Sequence, residues 1–531
     1  MPEIRLRPES WLEFAQDKKN IPTLQRLVQQ FLERTDKYNI DGRKLEQVQI
    51  EQAEALRYEG GRTLLLIIKT IYTEGFPERY FMPLSMRKGD YQRQPNAPSA
   101  GQILCQIRGD EQEGYLFEAD ESFGFRNYLL RYLLEGNGQL PQGFEFVRSE
   151  ALEDRPADPQ LPPARIIPTR SNHCALAFGD RYFLKIFRRL EDALNPEYEI
   201  NRHGEALQLP VPGYLSHLQY QAKGKQPYIL AMLEPYVTNQ GTAWQYFYDS
   251  ARRYIEQLSV DIESEDFDES PEESIKQRVG DMPLLRARLL GEAVGRFHQG
   301  VVAPDQKGFE TEQFSLHYQR SLFSAWNSQL RSTYQQIQKS DRLTEEQKQE
   351  LQKLRPLLLE RLRRIYDHKI DATKIRIHGD LQLEKVLFTG REFILFNFEG
   401  DRLRSFSELR LRKSPISDLV SLGSSLYYAA LAALHTHIKP EVLTDSPLLP
   451  WAEAWYETLE RAFIEGYRPI ASANNLLPAE TEDLRLMKET FFLERQLYEL
   501  DFELRQQREW ELVPFRGLLR LLEKVKPATS E

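Results

Sequence analysis

The chain has 531 residues, 41% of them hydrophobic, and a formal net charge of −10. That length exceeds one compact domain and predicts roughly three units of about 150 residues, while the apolar content excludes global disorder. The acidic balance argues against a nucleic acid held by bulk electrostatics. Cys105 and Cys174 are the 2 cysteines, too few for a disulfide framework or a zinc site. The opening MPEIRLRPES has no apolar core of the signal-peptide kind. The longest apolar run, 419–434, is shorter than the about 20 residues of a membrane span and contains Ser421, Ser424 and Ser425. A cytoplasmic protein with no membrane or nucleic-acid partner is expected.

In chain order, residues 10–33 carry helical spacing: Trp11, Leu12 and Phe14, then Leu24, Leu27, Val28, Phe31 and Leu32. Strand-like runs over 48–50, 63–72 and 79–84 follow, separated by the turn signals Gly60-Gly61 and Glu74-Gly75-Phe76-Pro77. They predict a small α/β unit built on antiparallel hairpins. Residues 88–101 read as a loop or boundary. Strand-like pieces at 102–107 and 114–117 precede a helix over 123–134 and a Pro-rich connector over 153–163. Strands are predicted over 174–178 and 182–187, split by the tight Gly179-Asp180 turn, and over 228–233. Beyond 241 the chain reads as almost wholly helical, apart from 375–400. The acidic run 261–273 lacks the spacing and central Gly of a calcium loop and reads as a solvated insertion.

Lys185 lies inside the apolar run Tyr182-Phe183-Leu184-Lys185-Ile186-Phe187, on the face shared with Phe183 and Phe187. A buried Lys needs a partner. Glu199, on the helix expected after Asn195-Pro196, is the natural one. A strand Lys paired with a helix Glu is the kinase device for holding the α- and β-phosphates of ATP; the alternative is an edge Lys reaching solvent. Ser171 and Asn172, in the turn before the first of the two strands, would offer short polar groups to the same phosphates. Arg188 and Arg189 read as surface residues.

Residues 375–400, IRIHGDLQLEKVLFTGREFILFNFEG, carry the most chemistry. An apolar strand around Ile375 and Ile377 ends in His378-Gly379-Asp380. A second, Phe393-Ile394-Leu395-Phe396, ends in Asn397-Phe398-Glu399. In the kinase layout one Asp receives or orients the attacking hydroxyl, a polar residue five positions later holds magnesium, and an acid after the next strand holds it again. Asp380 fills the first place. The metal places fall on Lys385 and Asn397, both poor magnesium ligands, with Glu399 as the acid beside them. His378 is expected to fix the loop backbone.

At these residues the chain resembles the maltokinases, bacterial kinases with an aminoglycoside-phosphotransferase-like fold that often act beside trehalose synthase. The resemblance runs through YTEGFPERYFMPL (72–84), YFLKIFRRLEDALNPEYEINR (182–202), LEPYVTNQGTAW (233–244) and LHYQRSLFSAW (316–326). FSELRLRKSPISDLVSLGSSLYYAA (406–430) and FFLERQLYELDFELRQQREWELVPFRGL (491–518) are its distinctive stretches. It implies a bilobal, protein-kinase-like α+β fold with a cap subdomain over 1–95, a nucleotide-binding lobe over 96–240 and a helical lobe over 241–531. It implies ATP and Mg2+ as cofactors and maltose or a related disaccharide as acceptor. Glu494, Arg495, Tyr498 and Glu499 would lie near the sugar, beside apolar positions that any core helix would show.

The chain departs from the family pattern HGDxHLGQVL…DFEGE at Gln382, Glu384, Lys385 and Asn397. Arg495 replaces a family Lys, and DKYNIDGRK (36–44) replaces a tryptophan-bearing cap segment. The family activity is transfer of the ATP γ-phosphoryl group to maltose, giving maltose 1-phosphate. The two substituted metal positions point to weak or lost catalysis. The alternative is a pseudokinase that serves as scaffold or regulator of trehalose synthase or another glucan-pathway enzyme.

Overall fold

The computed structural model describes residues 2–6, 11–38, 43–91, 98, 100–109, 113–153, 161–169, 173–262, 270–400, 404–438, 446–506 and 510–523. The architecture is α+β and the chain divides into two units. Met1–Glu205, Pro212–Thr238 and Arg402–Leu409 form the first; Ala206–Val211, Asn239–Asp401 and Arg410–Glu531 form the second.

The first unit is built around a strand that is apolar on both faces, Gly61–Tyr72. Side chains alternate along a strand. Leu64, Leu66 and Ile68 pack with Leu24, Val28 and Phe31, while Leu65 and Ile67 pack with Leu130, Leu176, Leu184 and Leu230. The strand lies within a seven-stranded sheet ordered Glu3–Leu6, Ile103–Gly109, Gly114–Glu118, Glu78–Lys88, Gly61–Tyr72 and Leu45–Tyr58, with Arg189–Leu190 also paired to Glu78–Lys88. The helical pattern over 10–33 resolves into Trp11–Gln16 and Ile21–Leu32. Pro22 stands in the first turn of the second helix, where a missing N–H costs nothing, whereas inside a continuous helix it would cost about 3 kcal/mol.

A second sheet of six strands runs Phe144–Arg148, Ser216–Tyr220, Tyr228–Pro235, Tyr182–Phe187, His173–Phe178, Ala164–Ile167. All its pairings are antiparallel. Lys185 stands near its middle, opposite Ala175 on one side and Met232 on the other. The expected helix over 123–134 is Phe123–Glu135, opened by Ser122 and closed by Gly136 in the left-handed conformation.

The second unit is mainly helical. Ala243–Asp261 begins at a reciprocal cap between Thr242 and Gln245. Met282–Gly300 and Leu449–Ala471 approach to backbone contact: a Cβ on Gly291 would stand 1.9 Å from the Phe463 carbonyl oxygen, and one on Gly466 2.0 Å from that of Arg288. Ile416–His437 contains the long apolar run and is buried along nearly its whole length. No described helix is long and apolar enough to cross a membrane. Of the acidic run, 263–269 lie outside the described residues, and Pro271–Val279 forms a helix capped by Ser270.

The segment 375–400 interrupts these helices. Its second expected strand pairs as a hairpin, Val386–Phe388 with Phe393–Leu395. The first does not form as read. Thr373–Lys374 pairs with Glu312–Gln313, Ile375 makes a single bridge to Lys413, and the residues up to Asp380 leave the sheet. The N–H groups of His378 and Gly379 are taken by a side chain instead of a neighbouring strand.

Candidate functional site

Two lysine–carboxylate centres bear on the predicted chemistry, one in each unit. In the first, Lys185 is 1% exposed and hydrogen-bonds Glu197, which is 0% exposed. Its ammonium lies 3.7 Å from Glu234, whose Oε1 accepts a 2.7 Å bond from Asn201 Nδ2. Asn195 sets the phase of the helix Pro196–Leu207 by accepting from the N–H groups of Glu197 at 2.9 Å and Tyr198 at 3.1 Å. The carboxylate seated on Lys185 therefore comes two residues before the expected Glu199. Each helical residue turns by about 100°, so Glu197 and Glu199 project to opposite sides, and Glu199 is half-buried. Burial raises the Glu234 carboxyl; Lys185 opposes the rise and Glu197 reinforces it, leaving it at about 7.

Arg188, read as a surface residue, is buried. Its Nη2 lies 2.7 Å from Asp120 and its Nε 3.7 Å from Glu118, so two buried acids account for its place. Ser171 and Asn172 lie outside the described residues.

The second centre is the turn after Ile377. Asp418, on Ile416–His437, accepts from the His378 N–H at 2.7 Å through Oδ2 and from the Gly379 N–H at 2.9 Å through Oδ1. His298 Nε2 donates to Asp418 Oδ2 at 3.1 Å, and His298 Nδ1 stands 3.0 Å from the Tyr467 hydroxyl. Gly379 takes φ +85° with nothing within 4 Å of a notional Cβ, so the backbone angle, not crowding, asks for glycine. His378 does fix the loop: Nε2 donates to the Phe396 carbonyl at 3.0 Å, and burial lowers its imidazole pKa. The Leu383 N–H donates to Ser425 Oγ at 3.1 Å.

This frame presents Asp380. Gln382 Nε2 donates to its Oδ1 at 2.9 Å, Lys385 donates to its Oδ2, and Arg495 Nη1 is 3.8 Å from Oδ1. Burial alone would raise the Asp380 carboxyl, but Lys385 and Arg495 more than offset it and hold it below the usual carboxylate range. Arg495 also pairs with Glu499 and lies 5.3 Å from the Tyr498 ring centroid. Glu494, Arg495, Tyr498 and Glu499 are all half-buried and form one stripe of the helix Thr481–Gln506. The C-terminal residues expected near a sugar are thus brought to Asp380 through Arg495.

A magnesium ion does not fit this donor set. Lys385 offers no lone pair and engages Asp380. Asn397, half-buried at φ +63°, brings a neutral amide, and Glu399 is half-buried two residues on. Among the described residues no group of three or more His, Cys, Asp or Glu is placed to hold a metal.

Besides Glu197, three participants escape the sequence reading. Glu234 ends a strand that reads as plain core. Asp418 and His298 act on a loop distant in sequence, and the one visible signal for Asp418 is an acid opening an otherwise apolar helix.

No protein-family model matches this sequence. A glucosamine kinase solved in complex with glucosamine, ADP and inorganic phosphate is similar in structure, with a TM-score of 0.62 at 15% identity over 97% of this chain and 99% of that one. Another glucosamine kinase structure, crystal form B, gives 0.64 at 15% identity over 97% and 100%. Likeness at this identity shows the fold. The chain has a kinase-like α+β fold.

Proposed function

We propose that this chain is a sugar phosphotransferase of maltokinase type, with ATP as donor, maltose or a related disaccharide as acceptor, and attenuated turnover. The observation that carries the reading is Asp380, held in a rigid turn by Asp418 and joined through Arg495 to the charged and aromatic stripe of Thr481–Gln506. The similar glucosamine kinase, solved with an amino sugar and ADP, supports a sugar hydroxyl as acceptor and a nucleotide as donor.

In the proposed step the acceptor hydroxyl oxygen forms a bond to the γ-phosphorus. The bond from that phosphorus to the β,γ-bridging oxygen breaks, and its electron pair leaves with ADP. The hydroxyl proton passes to Asp380. The depressed pKa makes Asp380 a weak base, so it orients the hydroxyl more than it strips it, which suffices for a loose phosphoryl-transfer transition state. Lys185, held by Glu197, would hold the nucleotide phosphates.

A second reading has one observation in its favour: Lys385 already occupies Asp380. It is a pseudokinase that binds sugar or nucleotide and serves trehalose synthase or another glucan-pathway enzyme. Phosphorus NMR of the protein with ATP and maltose, glucosamine or trehalose separates the two. The phosphotransferase reading expects a slow, maltose-dependent sugar phosphate signal that Asp380→Asn abolishes. No sugar phosphate from any of the three after prolonged incubation, with maltose still bound, selects the pseudokinase.

A further inference from the structure

Lys385 stands five residues after Asp380, where the kinase layout sets a metal-holding amide. Its backbone is clasped on both sides. The N–H donates to the Gln382 carbonyl at 2.8 Å, and the carbonyl accepts from the Phe396 N–H at 3.1 Å. The stem therefore starts from a fixed point and delivers its ammonium to Asp380 Oδ2, with the side chain 16% exposed. Arg495 brings a second positive charge to 3.8 Å from Oδ1 and is itself paired with Glu499. Two carboxylates and two cations already balance. An incoming divalent cation would have to displace the ammonium, face the guanidinium and find an amide at Asn397 where a carboxylate is needed.

We propose that Lys385 is a resident cation that stands in place of a divalent metal beside Asp380, so that nucleotide binding by this chain needs no magnesium. The proposal rests on the phosphotransferase reading for its nucleotide, but its metal half can be read without nucleotide or sugar. Mn2+ is the probe, followed by loss of the free-ion signal in electron paramagnetic resonance. The native chain is expected to take up no Mn2+ at millimolar concentration. Lys385→Gln combined with Asn397→Asp should take up one equivalent at least ten-fold more tightly than either single variant, and Lys385→Arg, which keeps the charge, should stay metal-free. One equivalent of Mn2+ on the native chain, unchanged in Lys385→Gln, overturns the proposal. So does a double variant that is folded by circular dichroism yet binds none. Should the double variant not fold, titration of the native chain with ADP decides. Affinity in EDTA and in excess Mg2+ is expected to agree within two-fold, and a ten-fold gain with Mg2+ overturns the proposal. No ADP binding in either buffer overturns its nucleotide half together with the reading it rests on.

Discussion

Lys185 and Lys385 each sit on a carboxylate, in opposite settings. Lys185 is sealed in a sheet, 1% exposed, with Glu197 and Glu234 around one ammonium. Lys385 is on a turn, 16% exposed, and shares Asp380 with Arg495. The sealed centre has more acid than base, and burial raises the Glu234 carboxyl so that it keeps its proton to higher pH than an exposed carboxyl does. The half-open centre sets Lys385 and Arg495 against Asp380 and Glu499, and the two cations keep Asp380 ionised. A sealed pair fixes geometry and answers first to the stability of the fold; a half-open one can exchange partners with a ligand without any opening of its surroundings.

The largest expected effect comes from breaking the sealed centre. Lys185→Met strands Glu197 beside Glu234, and removing one partner of a buried pair costs about 3–5 kcal/mol. Denaturant unfolding should show a loss of that size at pH 8. A loss below about 1 kcal/mol would mean that water reaches the pair.

The pH dependence of the two centres should run in opposite directions. Glu234 has its folded pKa raised from 4.5 to about 7. The folded chain keeps a proton that the unfolded chain has released, so this contribution is complete below the unfolded value and is lost as pH rises to about 7. It amounts to on the order of 3 kcal/mol. Asp380 and Asp418 are depressed: burial would raise both, but Lys385 and Arg495 lower the first, and His298 and its hydrogen bond lower the second. Their contribution is present above the unfolded carboxylate range and is lost as pH falls through their folded values. Glu234→Gln should flatten the stability slope between pH 4.5 and 7 and leave the acid limb in place. An unchanged slope would assign it to another group.

Asp418→Asn keeps the shape but lets one oxygen and one amide face two N–H donors and His298. A loss of about 1–3 kcal/mol is expected, with any phosphoryl transfer falling more steeply than maltose binding. Equal falls in both would mean that Asp418 only supports the fold.

How much of this is legible depends on whether the signal is local. Tyr182–Phe187 matches its expected bounds because an apolar run meets a Gly turn. Leu45–Tyr58 shows only a short strand signal because it is an edge strand, and Glu46, Gln47, Gln49, Glu51 and Glu54 dilute the apolar positions of its inward face. Asp380 and the Arg495 stripe are legible from motif and helical spacing. Asp418 is not, since it acts on an N–H 40 residues earlier in the chain. The Glu199 assignment fails although the helix starts where expected: with Asn195 as its cap, Glu197 is the acid that meets Lys185, and Glu199, two residues on, turns away.

The smallest effect concerns the half-open centre's sugar side. Maltose binding only to the folded chain should raise its melting temperature, and Tyr498→Ala, which removes the ring beside Arg495, should erase that shift. A shift that survives the substitution would place the disaccharide elsewhere.

The most direct test of the account is a double-mutant cycle on turnover. Lys385→Gln and Asn397→Asp, singly and together, would be assayed for maltose phosphorylation with ATP and Mg2+. Either change alone should do little. The carboxylate that Asn397→Asp introduces pairs with the ammonium still in place, and Lys385→Gln removes that ammonium but leaves the neutral amide of Asn397. Together they should raise the Mg2+-dependent rate by more than the product of the single effects, as groups in contact do. Native turnover already in the usual kinase range of roughly 1–100 per second, with both changes merely additive, would contradict the claim that Lys385 stands where a metal would.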